Sequence, residues 1–357
     1  MKIKSFSLVI LLALLAGLLS GCTGGASLAT SWPGVTLDDG MTYIAYTSYV
    51  YALNQDGTQA WIYPEAADRN KIFYAAPAVI GDQVVVGDFN KVLFGLDRKT
   101  GKEIWSFTEA TDRYIGKSLA VEEKGLVLAP NADHNLYAID NAGKLVWKFT
   151  TGDPVWAQPA TDGNAVFVAS MDGFIYALSL ADGAKLWSAD LGAAVVYSLA
   201  LSDDGAHLYA GTLGNKLVAV NTKTGTIAWE TPTAGAVWAR VLQHEDLLYF
   251  GDQSGKFTAL NAQDGTQKWQ IDAPSAVIGA AVLLGDDSIV FPTEGGDVVA
   301  VNLEGTKLWT QPVNGKLYSN LVYTGEKLVV AVTQGEENLL AVALNPNGTQ
   351  AWTFNQP

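Results

Sequence analysis

Phe174-Ile175-Tyr176-Ala177-Leu178, a short linker through Asp182-Gly183, and then Ala184-Lys185-Leu186-Trp187 is the stretch that decides the fold. Apolar alternation on both sides of the linker reads as two antiparallel strands joined by a hairpin. A Gly followed four residues later by Trp recurs at Gly57/Trp61, Gly101/Trp105, Gly143/Trp147, Gly183/Trp187, Gly225/Trp229, Gly265/Trp269, Gly305/Trp309 and Gly348/Trp352. Successive tryptophans of this column lie 44, 42, 40, 42, 40, 40 and 43 residues apart, and the column takes eight of the 11 tryptophans in the chain. A small residue precedes each Gly (Ala52, Gly95, Ala138, Ala177, Ala219, Ala259, Ala300, Ala343), with a turn former two positions later (Asn54, Asp97, Asp140, Ser179, Asn221, Asn261, Asn302, Asn345). The Gly supplies the positive φ of the hairpin, and Asn or Asp side chains bond nearby backbone. Two further strand-like runs precede each hairpin; in the fourth unit they are Trp156 to Thr161 and Ala165 to Ser170, around Asp162-Gly163-Asn164. Four strands per unit of this length make one propeller blade. The expectation is all-β: an eight-bladed β-propeller of four-stranded antiparallel blades, spanning residues 32–357.

The tryptophan column has a packing reason. A radial sheet buries both faces against its neighbours, so each outer strand needs one large side chain and a small position to receive it. Burying an indole contributes at most about 4–6 kcal/mol by area. All eight tryptophans of the column, Trp61 through Trp352, are therefore expected to dock in the same structural role.

The pattern A-x-[DN]-x-x-x-G-x-x-x-W resembles the tryptophan-docking motif of pyrroloquinoline-quinone (PQQ)-type repeats. Ala219-Val220-Asn221-Thr222-Lys223-Thr224-Gly225-Thr226-Ile227-Ala228-Trp229 and Ala259 to Trp269 carry it without change, and the repeats cover Trp32 to Phe354. Units one, three and seven have a hairpin shorter by one residue. The resemblance implies either a quinoprotein dehydrogenase or a BamB-like lipoprotein of outer-membrane β-barrel assembly.

The dehydrogenase branch implies PQQ against a Trp and a disulfide of adjacent cysteines, with Ca²⁺ held by Glu, Asn and Asp. This chain has one Cys and no C-x-x-C-H for haem, so PQQ with calcium is not expected. No metal site is expected either: a hard cation needs converging oxygens, and the acidic clusters fall in turns. Asp203-Asp204-Gly205 and Asp286-Asp287 read as solvated hairpin carboxylates, as do Asp88-Phe89-Asn90 and Asp252-Gln253-Ser254-Gly255 in the next hairpins. His134, His207 and His244 are scattered over turns and a strand start, and no H-E-x-x-H, G-x-S-x-G or Walker loop occurs. No catalytic residue is assigned, and the chain is expected not to be an enzyme.

The composition sets the compartment. With 49% apolar and 16% charged residues the chain is not disordered. Its 22 basic against 36 acidic residues give a net charge of −14, which argues against nucleic acid. Residues 1–21 read as a signal peptide: Lys2 and Lys4, an apolar run from Leu8 to Leu19, then Leu19-Ser20-Gly21-Cys22, which resembles a lipobox. Cys22 is the expected lipidation site, and residues 22–31 a flexible tether. Losing the two leader lysines takes the charge from −14 to −16. The chain is expected to be exported and anchored at the cell envelope. In a Gram-negative cell, Thr23 after the cysteine fits the periplasmic face of the outer membrane; otherwise the anchor is the outer face of the cell membrane.

A second column stands at the entrance to each innermost strand: Trp32, Tyr74, Gly116, Trp156, Tyr197, Trp238, Gly279 and Tyr318. The three tryptophans outside the blade motif all fall here. Such a column either packs between blades or forms an aromatic funnel at the mouth of the central channel. The two most charged blade-to-blade connections share Glu-Ala-x-Asp-Arg, at Glu65 to Arg69 and Glu109 to Arg113. Arg69 and Arg113 are candidates for a polar rim beside that mouth, or are paired to Asp68 and Asp112. The expected function is a non-enzymatic, lipid-anchored scaffold, a monomeric propeller binding other envelope proteins. The alternatives are a quinoprotein-like dehydrogenase and an extracellular carbohydrate-binding propeller.

Overall fold

The computed structural model describes residues 32–356, which form eight four-stranded sheets. The expected leader, Cys22, the tether and a possible N-terminal clasp within residues 26–31 lie outside the described residues. In every sheet the strands pair antiparallel in chain order, so each blade is one uninterrupted segment. Blade one opens with Gly34–Asp38 and ends with Gln59–Tyr63; blade eight ends with Gln350–Asn355. Among the described residues no helix is long and apolar enough to cross a membrane.

The innermost strands are shorter than the sequence suggests. In blade four the first strand is Ala160–Thr161, not Trp156 to Thr161, and the second is Ala165–Ala169. Pro159 has no N–H to give a ladder, and residues 156–159 lie outside the strand. The aromatic column therefore sits just before the strands, on irregular backbone.

The seams between blades explain the eightfold motif. Within a blade, the small column lies directly opposite Trp, as Ala177 does to Trp187. At Gly95 a Cβ would fall 2.1 Å from the Trp105 ring, so that pairing tolerates only glycine. Just beyond this pair the register shifts, leaving Leu186 as the extra residue of a bulge. The bulge sends Leu186 to solvent, 58% exposed, while its neighbour Trp187 turns into the seam.

The motif Gly has a second role beyond its φ. Gly225 has φ +70°, and a Cβ there would lie 2.6 Å from the ring of Trp187 in the preceding blade. The same contact occurs at all eight seams, with the would-be Cβ 2.6–2.8 Å from the preceding tryptophan. It includes the closing seam, where Trp352 lies on Gly57. There Trp352 Nε1–H donates to Gln55 O at 3.0 Å, and Ser319 Oγ donates to Pro33 O. Among the described residues the ring thus closes by face packing, with no strand exchanged between blades one and eight. Unit eight also belongs to the short-hairpin set. Gly57, Gly143, Gly305 and Gly348 N–H groups bond back three residues, and Gly101, Gly183, Gly225 and Gly265 bond back four.

Trp309 differs from the other seven tryptophans of the column in one bond. It packs as the others do: it lies opposite Ala300 in blade seven, and its ring covers Gly348 of blade eight, 2.8 Å from the would-be Cβ. It is only half-buried, and it is the one member of the column whose indole N–H has no acceptor among the described residues. At the two other short hairpins that take a tryptophan bond directly, the acceptor is the carbonyl two residues before the Gly, Gln55 O for Trp352 and Leu303 O for Trp269. At the Trp309 seam that place is taken by Pro346. Its ring fixes φ, which restricts how this carbonyl can be turned toward the indole. Trp309 is thus a seam filler without the hydrogen-bonded lock.

Candidate binding site at the channel mouth

Each blade-to-blade connection is clamped between two hairpins of the same face. Phe89 N–H bonds Ile72 O at 2.8 Å in the connection entering blade two, and Tyr114 N–H in the next connection bonds Asp88 O at 3.0 Å. Met171 with Pro154 and Gln253 with Ala236 repeat the first bond, each at 3.0 Å. Asn131, accepting from Val155, repeats the second at 3.1 Å. These ladders fix the seven connections that carry the aromatic column into blades two to eight.

The hairpin residue at this clamp is polar and buried: Asp88, Asn131, Ser170, Thr212, Asp252, Thr293 and Thr333. This corrects the reading of Asp88 and Asp252 as solvated turn carboxylates; each is 1% exposed. Asp252 Oδ1 accepts from Ser254 N at 2.9 Å and Lys256 N at 3.1 Å, and its Oδ2 accepts from Gly235 N at 3.1 Å. Asp88 accepts from Val92 N at 2.9 Å. Burial pushes the Asp88 carboxyl up to about 6, against the backbone donors and Lys71, which favour the charged form. Sequence reasoning missed this column, although its signal, a polar residue closing each second strand, was present. Asp203, Asp204, Asp286 and Asp287 are exposed in turns, and no cluster of three or more His, Cys, Asp or Glu converges among the described residues.

None of the six aromatic side chains in the mouth column is fully buried, and Trp32 is 43% exposed. Three of them meet across the opening. Trp32 of blade one stacks on Tyr318 of blade eight, centroids 5.5 Å apart, and meets Trp238 of blade six edge-on at 5.7 Å. Burial pushes the Tyr197 hydroxyl of blade five up to about 12, with the Asn320 side chain of blade eight opposing. Tyr318 Oη donates to Glu294 Oε1 at 3.1 Å. Tyr74 packs edge-on against Phe89 at 3.9 Å, and the Arg113 guanidinium lies 5.2 Å above the same Phe89 ring.

The two glycines of the column mark close approaches. A Cβ at Gly116 would lie 2.2 Å from Trp156 O, and one at Gly279 would lie 2.4 Å from Ser319 O. The two arginines differ. Arg113 Nε stands 3.9 Å from its own Asp112, whereas Asp68 Oδ1 accepts from Asn70 N at 2.9 Å and Arg69 is exposed beside it.

Residues 23–116, 90–198 and 172–355 match the family model described as outer membrane protein assembly factor BamB. The chain is 28% identical over 165 residues to the outer membrane protein assembly factor BamB of Burkholderia pseudomallei, covering 44% of this chain and 42% of that protein. It is 22% identical over 208 residues to a tetrathionate hydrolase of Acidithiobacillus ferrooxidans, covering 50% and 42% respectively. The chain thus aligns with less than half the length of these curated relatives. The crystal structure of BamB from Moraxella catarrhalis superposes with a TM-score of 0.72 at 19% identity, over 87% of this chain and 94% of that one.

Proposed function

Because the chain belongs to the family of the outer membrane protein assembly factor BamB, we propose that it is a non-enzymatic scaffold for outer-membrane protein assembly, anchored at the envelope through lipidated Cys22. The observation that carries this reading is that the family match runs from residue 23 to residue 355, through all eight blades. The face with the clamped connections offers rigid, exposed docking groups, Arg69 and Arg113 beside the aromatic mouth. Rigid presentation keeps the ordering cost of binding small. No step of this role needs PQQ, calcium or another cofactor, and the propeller acts as a monomer that meets other envelope proteins.

A photo-crosslinker placed at residue 69 or 113 in living cells tests the scaffold. The expected result is capture of a component of outer-membrane β-barrel assembly, with lower β-barrel protein levels when the gene is deleted. Unchanged β-barrel levels together with no captured envelope protein would overturn the reading. Cys22→Ser separately tests the anchor and should move the protein from the membrane to the soluble fraction.

A further inference from the structure

Six ion pairs join charged side chains among the described residues, and neither Lys117 nor Arg240 takes part in any. Both sit beside the mouth column, Lys117 directly after Gly116 and Arg240 two residues after Trp238. They approach from blades three and six, across the channel from each other. Lys117 is closely surrounded, and its ammonium is driven down to about 8 by burial and then by the Arg240 guanidinium, with Asp38 opposing. Asp38 is itself engaged by Arg98. Arg240 is exposed, and the protein packed around it lowers its pKa too.

Two more donors join them. Trp156 Nε1 and Trp238 Nε1 are buried and have no acceptor among the described residues. Leaving such a group unpaired costs about 1–3 kcal/mol, so an orphan in a native site asks for an explanation. The Trp156 carbonyl lies against Gly116, next to Lys117, and Trp238 stands two residues before Arg240. Two like charges influence one another beside two unpartnered indole N–H groups, in a chain whose net charge is −14. All four of these groups are donors, and none has a partner in the ion pairs or indole bonds described. Trp32 and Tyr318 cover its outer end with ring surface.

We propose that the channel mouth is a binding site for a small organic carboxylate with a flat apolar body. The carboxylate sits between Lys117 and Arg240 and accepts from the indole N–H groups, and the body stacks on the Trp32–Tyr318 pair. The site is separate from the Arg69 and Arg113 rim and goes beyond the scaffold role.

Isothermal titration of benzoate, benzamide and acetate into the full-length protein tests it. Benzoate should bind with one-to-one stoichiometry, and benzamide and acetate each roughly tenfold or more weaker. Arg240→Gln and Lys117→Met should each weaken benzoate by a similar factor, whereas Lys148→Gln on the outer rim should leave it unchanged. Affinity should also fall between pH 7 and pH 9 as Lys117 loses its proton, and this slope should vanish in Lys117→Met. That variant should be more thermally stable than wild type at pH 7, because it removes a desolvated charge; a merely structural lysine would lose stability instead. Equal binding of benzoate and benzamide, or no saturable benzoate binding to the wild-type protein, would overturn the proposal even if both variants failed to fold.

Discussion

Tryptophan is used in two opposite ways at the two radii of this propeller. On the outer strands each indole is packed on the hairpin glycine of the next blade. Seven of the eight also show a donated hydrogen bond: Trp61 to Arg98 O, Trp147 to Leu180 O, Trp187 to Thr222 O, Trp229 to Ala262 O, Trp269 to Leu303 O, Trp352 to Gln55 O, and Trp105 to the Gln83 side chain. Trp309 is the eighth, and it keeps the packing without the bond. At the channel mouth, Trp156 and Trp238 have buried N–H groups with no acceptor, and Trp32 is largely open to solvent. The first arrangement leaves little for a ligand to satisfy. The second leaves donors and ring faces unspent, which is where departures from complete satisfaction point to function.

The largest effects should fall on the outer column. Trp187→Ala removes a ring that fills the seam between blades four and five, and should cost about 3–5 kcal/mol in denaturant unfolding. A loss under about 1 kcal/mol would mean that the column does not hold the seams. Gly225→Ala attacks the same seam from the other side. It strains a residue at φ +70° and drives a methyl into the Trp187 ring, so about 2–4 kcal/mol is expected. Gly163→Ala is the control: φ is +90°, but nothing lies within 4 Å of the added Cβ, and only the backbone cost of about 1–2 kcal/mol should appear. In the double variant Trp187→Ala/Gly225→Ala the steric part disappears, so the two losses should not add.

The fold was legible because its cause repeats. A single Trp–Gly pair is ambiguous, but the same spacing eight times leaves one architecture able to use it. The sequence also located the mouth column, since three tryptophans outside the motif aligned there. What it did not reveal is contact between blades far apart in the chain. The meeting of Trp32 with Trp238 and with Tyr318 depends on the diameter and tilt of the closed ring, and no local pattern encodes these. Asp88 and Asp252 were misread for a related reason. A turn looks solvated in isolation, and only the connection laid over it buries the carboxylate. Trp309 shows the same limit inside the motif, because its missing bond depends on a proline in the hairpin of the following blade.

A smaller effect tests how strictly the outer column demands its hydrogen bonds. At the seam between blades two and three the carbonyl that would receive Trp105 is met indirectly. Trp105 Nε1–H donates to Gln83 Oε1 at 2.7 Å, and Gln83 Nε2 donates to Asn141 O at 3.0 Å. Gln83→Leu keeps the bulk and removes both bonds, leaving the indole N–H unpaired. The expected loss is about 1–2 kcal/mol by thermal or denaturant melting. No change would mean that ring packing alone carries the seam.

The smallest effect is the most discriminating, because it makes the same substitution at both radii of one blade. Trp269→Phe on the outer strand of blade six deletes the bond to Leu303 O, 2.8 Å long, and part of the ring that covers Gly305. A loss of about 1–3 kcal/mol follows from the broken bond and the vacated volume. Trp238→Phe at the mouth of the same blade breaks no hydrogen bond within the described residues and removes a buried donor that had no partner. Relief of that unpaired group offsets the lost ring area, so stability should change by less than about 1 kcal/mol. The same variant should weaken benzoate in the titration, since it removes one of the donors around the carboxylate. If Trp238→Phe instead destabilises as much as Trp269→Phe and leaves benzoate untouched, the mouth aromatics are wedges between blades. The contrast between the two radii would then be one of position only.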